Sequence, residues 1–117
     1  MEEKRYTSLM AIACGVDIIY IPGLQRIKQD EAMLNKFFDP KELSVSTLEH
    51  LAGIIAAKEA FFKALGIVPK FREVQIAYEK SGKPKLIVSP MFQKFISCDV
   101  SISHDKDYAV GFVVLEI

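Results

Sequence analysis

The segment LAGIIAAKEAFFKALG, residues 51–66, limits the possible folds more than any other stretch of this chain. It is apolar nearly all the way round a helix, and such a helix is normally buried. Thr47, or Ser46 before it, suits an N-cap, and Gly66 suits a C-terminal stop. A helix from about Leu48 to Leu65 is therefore predicted. At about 100° per residue, Ile54, Phe61, Leu65, Leu51, Phe62 and Ile55 form one broad arc. Ala57, Ala60 and Ala64 lie opposite, where small side chains suit close packing. With 117 residues and half of them hydrophobic, the chain is read as one domain, 1–117, built around this helix.

Three charges disturb the pattern. Lys58 falls inside the apolar arc, Glu59 just past its edge, and Lys63 one turn further. A buried lone carboxylate costs several kcal/mol unless something compensates it. On a solvated helix, Glu59 and Lys63 would be an ordinary pair four residues apart. Here no solvated face is evident, which favours a site where Glu59 meets a cation.

Asp17 repeats the argument on a strand. AIACGVDIIYI, residues 11–21, is β-branched and apolar, and Asp17 interrupts it. Alternation groups Ile12, Cys14, Val16 and Ile18 on one face, with Gly15, Asp17 and Ile19 on the other. The plain alternative is that Asp17 sits on the outer face in solvent. Gly15 beside it leaves room for close approach to the backbone. Two carboxylates suit a hard cation with open positions, Mg²⁺ in particular, which completes its shell with water and phosphate oxygens.

The remaining elements follow from breakers and alternation. Pro22-Gly23 opens a helical stretch with Leu24, Ile27, Leu34 and Phe37 on its apolar side. FDPKEL makes a short turn of helix. Residues 72–78 and 85–88 are predicted strands around Ser81-Gly82-Lys83-Pro84, and PMFQKFI is predicted as a short helix. The chain ends as a hairpin, with CDVSISH and YAVGFVVLEI joined through DKD. Ser101 and Ser103 face one side of it, and Val100, Ile102 and His104 the other. The expected class is α+β, a mostly antiparallel sheet wrapped around one long helix.

Composition narrows the partners. The formal net charge is +0, so no general nucleic-acid footprint is expected. Cys14 and Cys98 form no CxxC pair, which argues against a zinc site or disulfide framework. Cys14, in its apolar run, is expected to be buried. Glu2, Glu3 and Asp17 break the pattern of a signal peptide, and no run reaches the ~20 apolar residues of a membrane span. A cytoplasmic location is expected, with no membrane partner.

Taken together, GVDIIYI, LAGxxAAKEAFFKALG, the GKPKL turn and strand, and VSISHDKDYAVGFVVLE resemble the holo-acyl-carrier-protein synthase family of single-domain 4′-phosphopantetheinyl transferases. The order is kept from about residue 12 to 117. The resemblance implies the 4′-phosphopantetheinyl transferase fold. It implies Mg²⁺-dependent transfer of phosphopantetheine from coenzyme A to a serine of an apo acyl carrier protein, releasing adenosine 3′,5′-bisphosphate. It implies Asp17 and Glu59 as Mg²⁺ carboxylates, Lys63 beside the pyrophosphate, and Ser103 and His104 on the coenzyme A nucleotide. It also implies a homotrimer with sites shared between subunits. Lys58 adds positive charge in this reading. The serine's proton goes to Glu59 through a metal-bound water or to a neutral Lys63, and the sequence leaves the two open.

Two positions depart from the family. Ile54 stands where LAGRFAAKEA has an arginine near the nucleotide 3′-phosphate, and His104, Lys58 or a neighbouring subunit's lysine would have to compensate. Gly23 stands about where an arginine docks the carrier protein, leaving Arg26, Lys28 and Lys36 to share that role. The stretch from Phe38 to Leu51 is also short, implying a reduced flap. A non-catalytic relative that binds coenzyme A or a carrier protein is the alternative reading.

Overall fold

The computed structural model describes residues 11–44 and 47–117. Strand β1 (Ile12–Tyr20) runs into a 3₁₀ turn, Ile21–Leu24. Three short helices follow: α1 (Gln25–Lys28), α2 (Glu31–Phe37) and α3 (Pro40–Leu43). The long helix α4 spans Leu48–Leu65. Then come β2 (Val74–Tyr78), β3 (Pro84–Val88), β4 (Ser97–Asp105) and β5 (Tyr108–Glu116).

Helix α4 has the ends its sequence calls for. Thr47 is the N-cap, and its hydroxyl accepts from the His50 backbone N–H. The alternative cap, Ser46, lies outside the described residues. At the other end Gly66 takes a left-handed φ of 74° and donates to the Phe62 and Lys63 carbonyls. That conformation costs an L side chain about 1–2 kcal/mol, and glycine avoids the cost.

Among the described residues, strand pairing is antiparallel, in two sheets. One has the order β1-β5-β4, and the other is the hairpin β2-β3. Alternation gives the three-stranded sheet an inner face, with Val100, Ala109, Val113 and Leu115 buried against α4. Phe61, Phe62, Ile54 and Val74 complete the core. Fully burying such a side chain contributes roughly 1.5–3 kcal/mol.

The helix lies unusually close to the sheet. A Cβ on Gly15 would collide with the Ala60 carbonyl, and one on Gly111 with the backbone at Ala56 and Ala57. Gly111 pairs directly with Asp17 in the sheet register. The small-residue stripe of α4 thus meets two glycines, and β1 is drawn up beside Glu59.

Several local expectations need correcting. Cys14 is exposed, because it shares the outer face of β1 with Ile12, Val16, Ile18 and Tyr20. The stretch after Pro22 is broken into a 3₁₀ turn and two helices, with Asp30 capping the second through the Met33 N–H. PMFQKFI contributes only the 3₁₀ turn Pro90–Phe92 before β4 begins.

Candidate active site

Asp17 lies on the inner face of β1, not in open solvent; its side chain is only 10% exposed. Lys63 Nζ, from the last turn of α4, donates to Asp17 Oδ1 at 2.9 Å and to the Val16 carbonyl at 3.1 Å. The other oxygen, Asp17 Oδ2, is buried and has no partner. An unpaired buried acceptor costs about 1–3 kcal/mol, and the neighbouring Glu59 carboxyl, when protonated, is the group placed to hydrogen-bond Asp17.

Glu59 is half-buried on the same flank of α4. Burial first, and then the neighbouring Asp17 carboxylate, push its pKa up from 4.5 to about 7, with Lys63 opposing. The Lys63 ammonium is shifted upward, chiefly by its hydrogen bond to Asp17. Both partners of Lys63 are acceptors, so it stays charged near neutral pH. No group of three or more His, Cys, Asp or Glu side chains gathers as a metal site among the described residues. Two carboxylates with an open oxygen still fit Mg²⁺, which binds through one or two carboxylates plus substrate phosphate and water.

Lys58 does something else. It is fully buried, and Nζ donates to Glu42 Oε1 at 2.7 Å and to the carbonyls of Phe37 and Phe71 at 2.9 and 3.1 Å. With all three ammonium donors engaged, none is left for a phosphate. The expectation that Lys58 contacts the nucleotide is therefore corrected. Its position in the apolar arc is compensated by Glu42, which also accepts from the backbone N–H groups of Asp39 and Ile76. Sequence reasoning missed Glu42. The Asp39–Glu42 spacing of a capping box was its one visible signal, and that signal points only to a local role.

His104 and Ser103 stand apart from the carboxylates. His104 Nε2 is 2.9 Å from the Glu49 carbonyl, at the N-terminal end of α4. Glu49 and Glu59 are separated by about 15 Å of helix at 1.5 Å per residue. Ser103 is exposed on the outer sheet face, opposite to His104. Within one chain, then, Asp17, Glu59 and Lys63 come together, while Ser103 and His104 lie away from them on opposite faces of β4. Ile54 is fully buried and floors a cavity of about 300 Å³ with His50, Lys41, Tyr78 and Gln75 around it. Gly23 faces open space; a Cβ added there would meet only the Tyr20 ring, at 3.7 Å.

Residues 13–113 match the 4′-phosphopantetheinyl transferase superfamily. This chain belongs to that family. The reaction class, transfer of a phosphopantetheinyl group, comes with it. Holo-(acyl-carrier-protein) synthase of Wolbachia pipientis subsp. Culex pipiens is 37% identical, covering 91% of this chain and 98% of that protein. The Campylobacter hominis synthase is 38% identical over 88% and 96%. Among solved structures, the Helicobacter pylori synthase in complex with coenzyme A superposes with a TM-score of 0.78 at 29% identity, covering 87% and 98%. The Neisseria meningitidis synthase gives 0.80 at 29%, covering 90% and 98%. The α+β transferase fold expected from sequence is thus the observed one.

Proposed function

We propose that this phosphopantetheinyl transferase takes its group from coenzyme A and places it on a serine of an apo acyl carrier protein, releasing adenosine 3′,5′-bisphosphate. The observation that carries this reading is the open, buried Asp17 Oδ2 beside Glu59 and Lys63. The coenzyme A complex of the Helicobacter pylori relative supports the donor, and the relatives' name supports the acceptor.

Asp17 and Glu59 would hold Mg²⁺, which when bound neutralises charge on the pyrophosphate and its leaving group. Lys63 places a second positive charge at the same point. Because Lys63 is kept as an ammonium by two acceptors, Glu59 is the better acceptor for the serine proton. Holding two substrates in line supplies much of the remaining rate.

The outer face of the three-stranded sheet supports a homotrimer. Ile12, Val16, Ile18, Tyr20, Tyr108 and Phe112 stand exposed on it, and contiguous apolar patches of that kind mark interfaces. A neighbouring copy would bring its Ser103 and His104 toward the carboxylates, which one chain cannot do alone. Arg26 and Lys28 on α1 and Lys36 on α2 offer basic charge for an acidic carrier protein. No helix among the described residues is long and apolar enough to cross a membrane, and we place the activity in the cytoplasm.

The test is incubation with coenzyme A, Mg²⁺ and an apo carrier protein, read by intact mass. Serine modification that needs Mg²⁺ is expected. Coenzyme A binding without transfer to any of several carrier proteins would instead identify a non-catalytic relative.

A further inference from the structure

Lys63 binds Asp17 through one carboxylate oxygen only. Its Nζ is held at two points by adjacent residues of β1, Asp17 Oδ1 at 2.9 Å and the Val16 carbonyl at 3.1 Å. β1 lies at the edge of its three-stranded sheet, which leaves the Val16 carbonyl free to accept from the helix. The reach is short because Gly15 sits directly under the last turns of α4. A Cβ there would meet the Ala60 carbonyl and the Ala64 backbone nitrogen. The Lys63 side chain is 56% exposed, yet the seating of α4 on β1 fixes where its ammonium goes.

The two oxygens of Asp17 are therefore no longer equivalent. Oδ1 carries the ammonium, and Oδ2 is buried without a partner. A cation that chelated both oxygens would meet the ammonium on Oδ1, setting two positive charges on one atom. Turning the carboxylate to avoid that breaks the Lys63 bond, and a side chain only 10% exposed finds little water in exchange. A cation on Oδ2 alone meets neither cost. Mg²⁺ is suited to such a ligand, since it takes single carboxylate oxygens in near-octahedral order and fills the rest with water and phosphate. Ca²⁺ takes about 6–8 oxygens in looser geometry and commonly draws two from one carboxylate.

We propose that Lys63 determines which ion the site accepts: by reserving Asp17 Oδ1 it makes Asp17 a one-oxygen ligand, and so favours Mg²⁺ over Ca²⁺ between Asp17 and Glu59. The inference rests on the two-carboxylate metal reading above. Lys63 acts here through Asp17, as a positioning residue. An ammonium has three N–H donors and two are engaged, so the third remains for a phosphate oxygen and the role given to its charge is kept.

Electron paramagnetic resonance of Mn²⁺ on the full-length protein tests it without turnover. Displacing the Mn²⁺ with Mg²⁺ and, separately, with Ca²⁺ gives the ratio of the two affinities, read in the free protein and again with coenzyme A. The unaltered protein should prefer Mg²⁺. In Lys63→Met, loss of the ammonium should tighten both ions in the free protein. Ca²⁺ should gain roughly tenfold more than Mg²⁺, the factor that one ordinary hydrogen bond's worth of free energy gives. Lys63→Arg keeps a donor for Oδ1 and should restore most of the original ratio, which the loss of a merely structural side chain would not predict. A preference for Ca²⁺ in the unaltered protein, or a ratio unchanged in Lys63→Met, overturns this inference alone, because Lys63 then acts only as a charge. Failure of the unaltered protein to bind Mn²⁺, with coenzyme A or without it, overturns it together with the metal reading.

Discussion

Lys63 Nζ donates to Asp17 Oδ1 at 2.9 Å across 46 positions of sequence, and leaves Asp17 Oδ2 buried without a partner. The bond ties the last turn of α4 to the middle of β1. It also aims one carboxylate oxygen into the space that Glu59 shares.

That arrangement makes the carboxylates functional at a cost to the metal-free protein. Asp17→Asn and Glu59→Gln should each lower Mg²⁺-dependent transfer by at least about a hundredfold, the scale of losing a transition-state charge stabiliser. Neither should lower the unfolding midpoint in chelator. Each should lose the upward shift in midpoint that Mg²⁺ gives the unaltered protein. Retention of full activity by both variants would remove the metal site from the mechanism.

Glu59 also sets a pH dependence with a definite sign. Its folded pKa of about 7 lies above the ordinary 4.5. Between those values the folded chain holds a proton that the unfolded chain has released. The stability Glu59 contributes is therefore present below about 4.5 and lost as pH rises to about 7. In chelator, the midpoint of Glu59→Gln relative to the unaltered protein should rise across that window. A difference that stays flat with pH would contradict the burial and Asp17 effects assigned here.

The Lys58–Glu42 pair holds α3, α4, β2 and the chain at Phe37 and Phe71 to one point. Lys58→Met leaves Glu42 buried without its cation. Breaking a buried pair from one side typically costs about 3–5 kcal/mol, which urea unfolding can measure. Adding Glu42→Gln should recover part of the loss, because the amide removes the stranded charge. Full recovery is not expected, since its oxygen alone can still serve the Asp39 and Ile76 N–H groups.

Gly15 and Gly111 let α4 approach β1 closely enough for Glu59 and Asp17 to meet. Gly15→Ala must push against the Ala60 carbonyl, and overpacking of this kind costs about 1–3 kcal/mol. Activity should fall further than stability alone explains, because the shift separates the carboxylates. Thermal unfolding beside kcat at a temperature where the variant is fully folded separates the two effects.

The exposed sheet face gives a labelling test of assembly. Cys14 stands on it, between Ile12 and Val16. Cys98 is a poor competitor, since burial and then Asp99 push its thiol up to about 11. A maleimide should therefore mark Cys14 in dilute monomer and be excluded when copies associate. Phe112→Glu should keep the protein monomeric by light scattering and restore labelling at all concentrations.

Local pattern was enough for much of this. The helix Leu48–Leu65, its cap and stop, the strand around Asp17 and the terminal hairpin are written in periodicity and breakers, which act over a few residues. Asp17, Glu59 and Lys63 stood out because each charge broke an apolar pattern, and a misplaced charge needs a nearby compensation wherever the chain goes. Only the tertiary structure decided which compensation each received. Lys58 and Glu59 are adjacent and looked alike in sequence. Helical rotation sends Lys58 to a carboxylate from α3 and Glu59 toward β1, and no local rule names a partner 16 or more positions away. The same reason hid the cavity over Ile54, whose walls come from α3, α4, β2 and β3 and exist only where those elements meet. It also put Cys14 on the wrong side, buried rather than exposed: alternation separates two faces, but which one meets the helix is fixed by Gly15 and Gly111 fitting beneath α4.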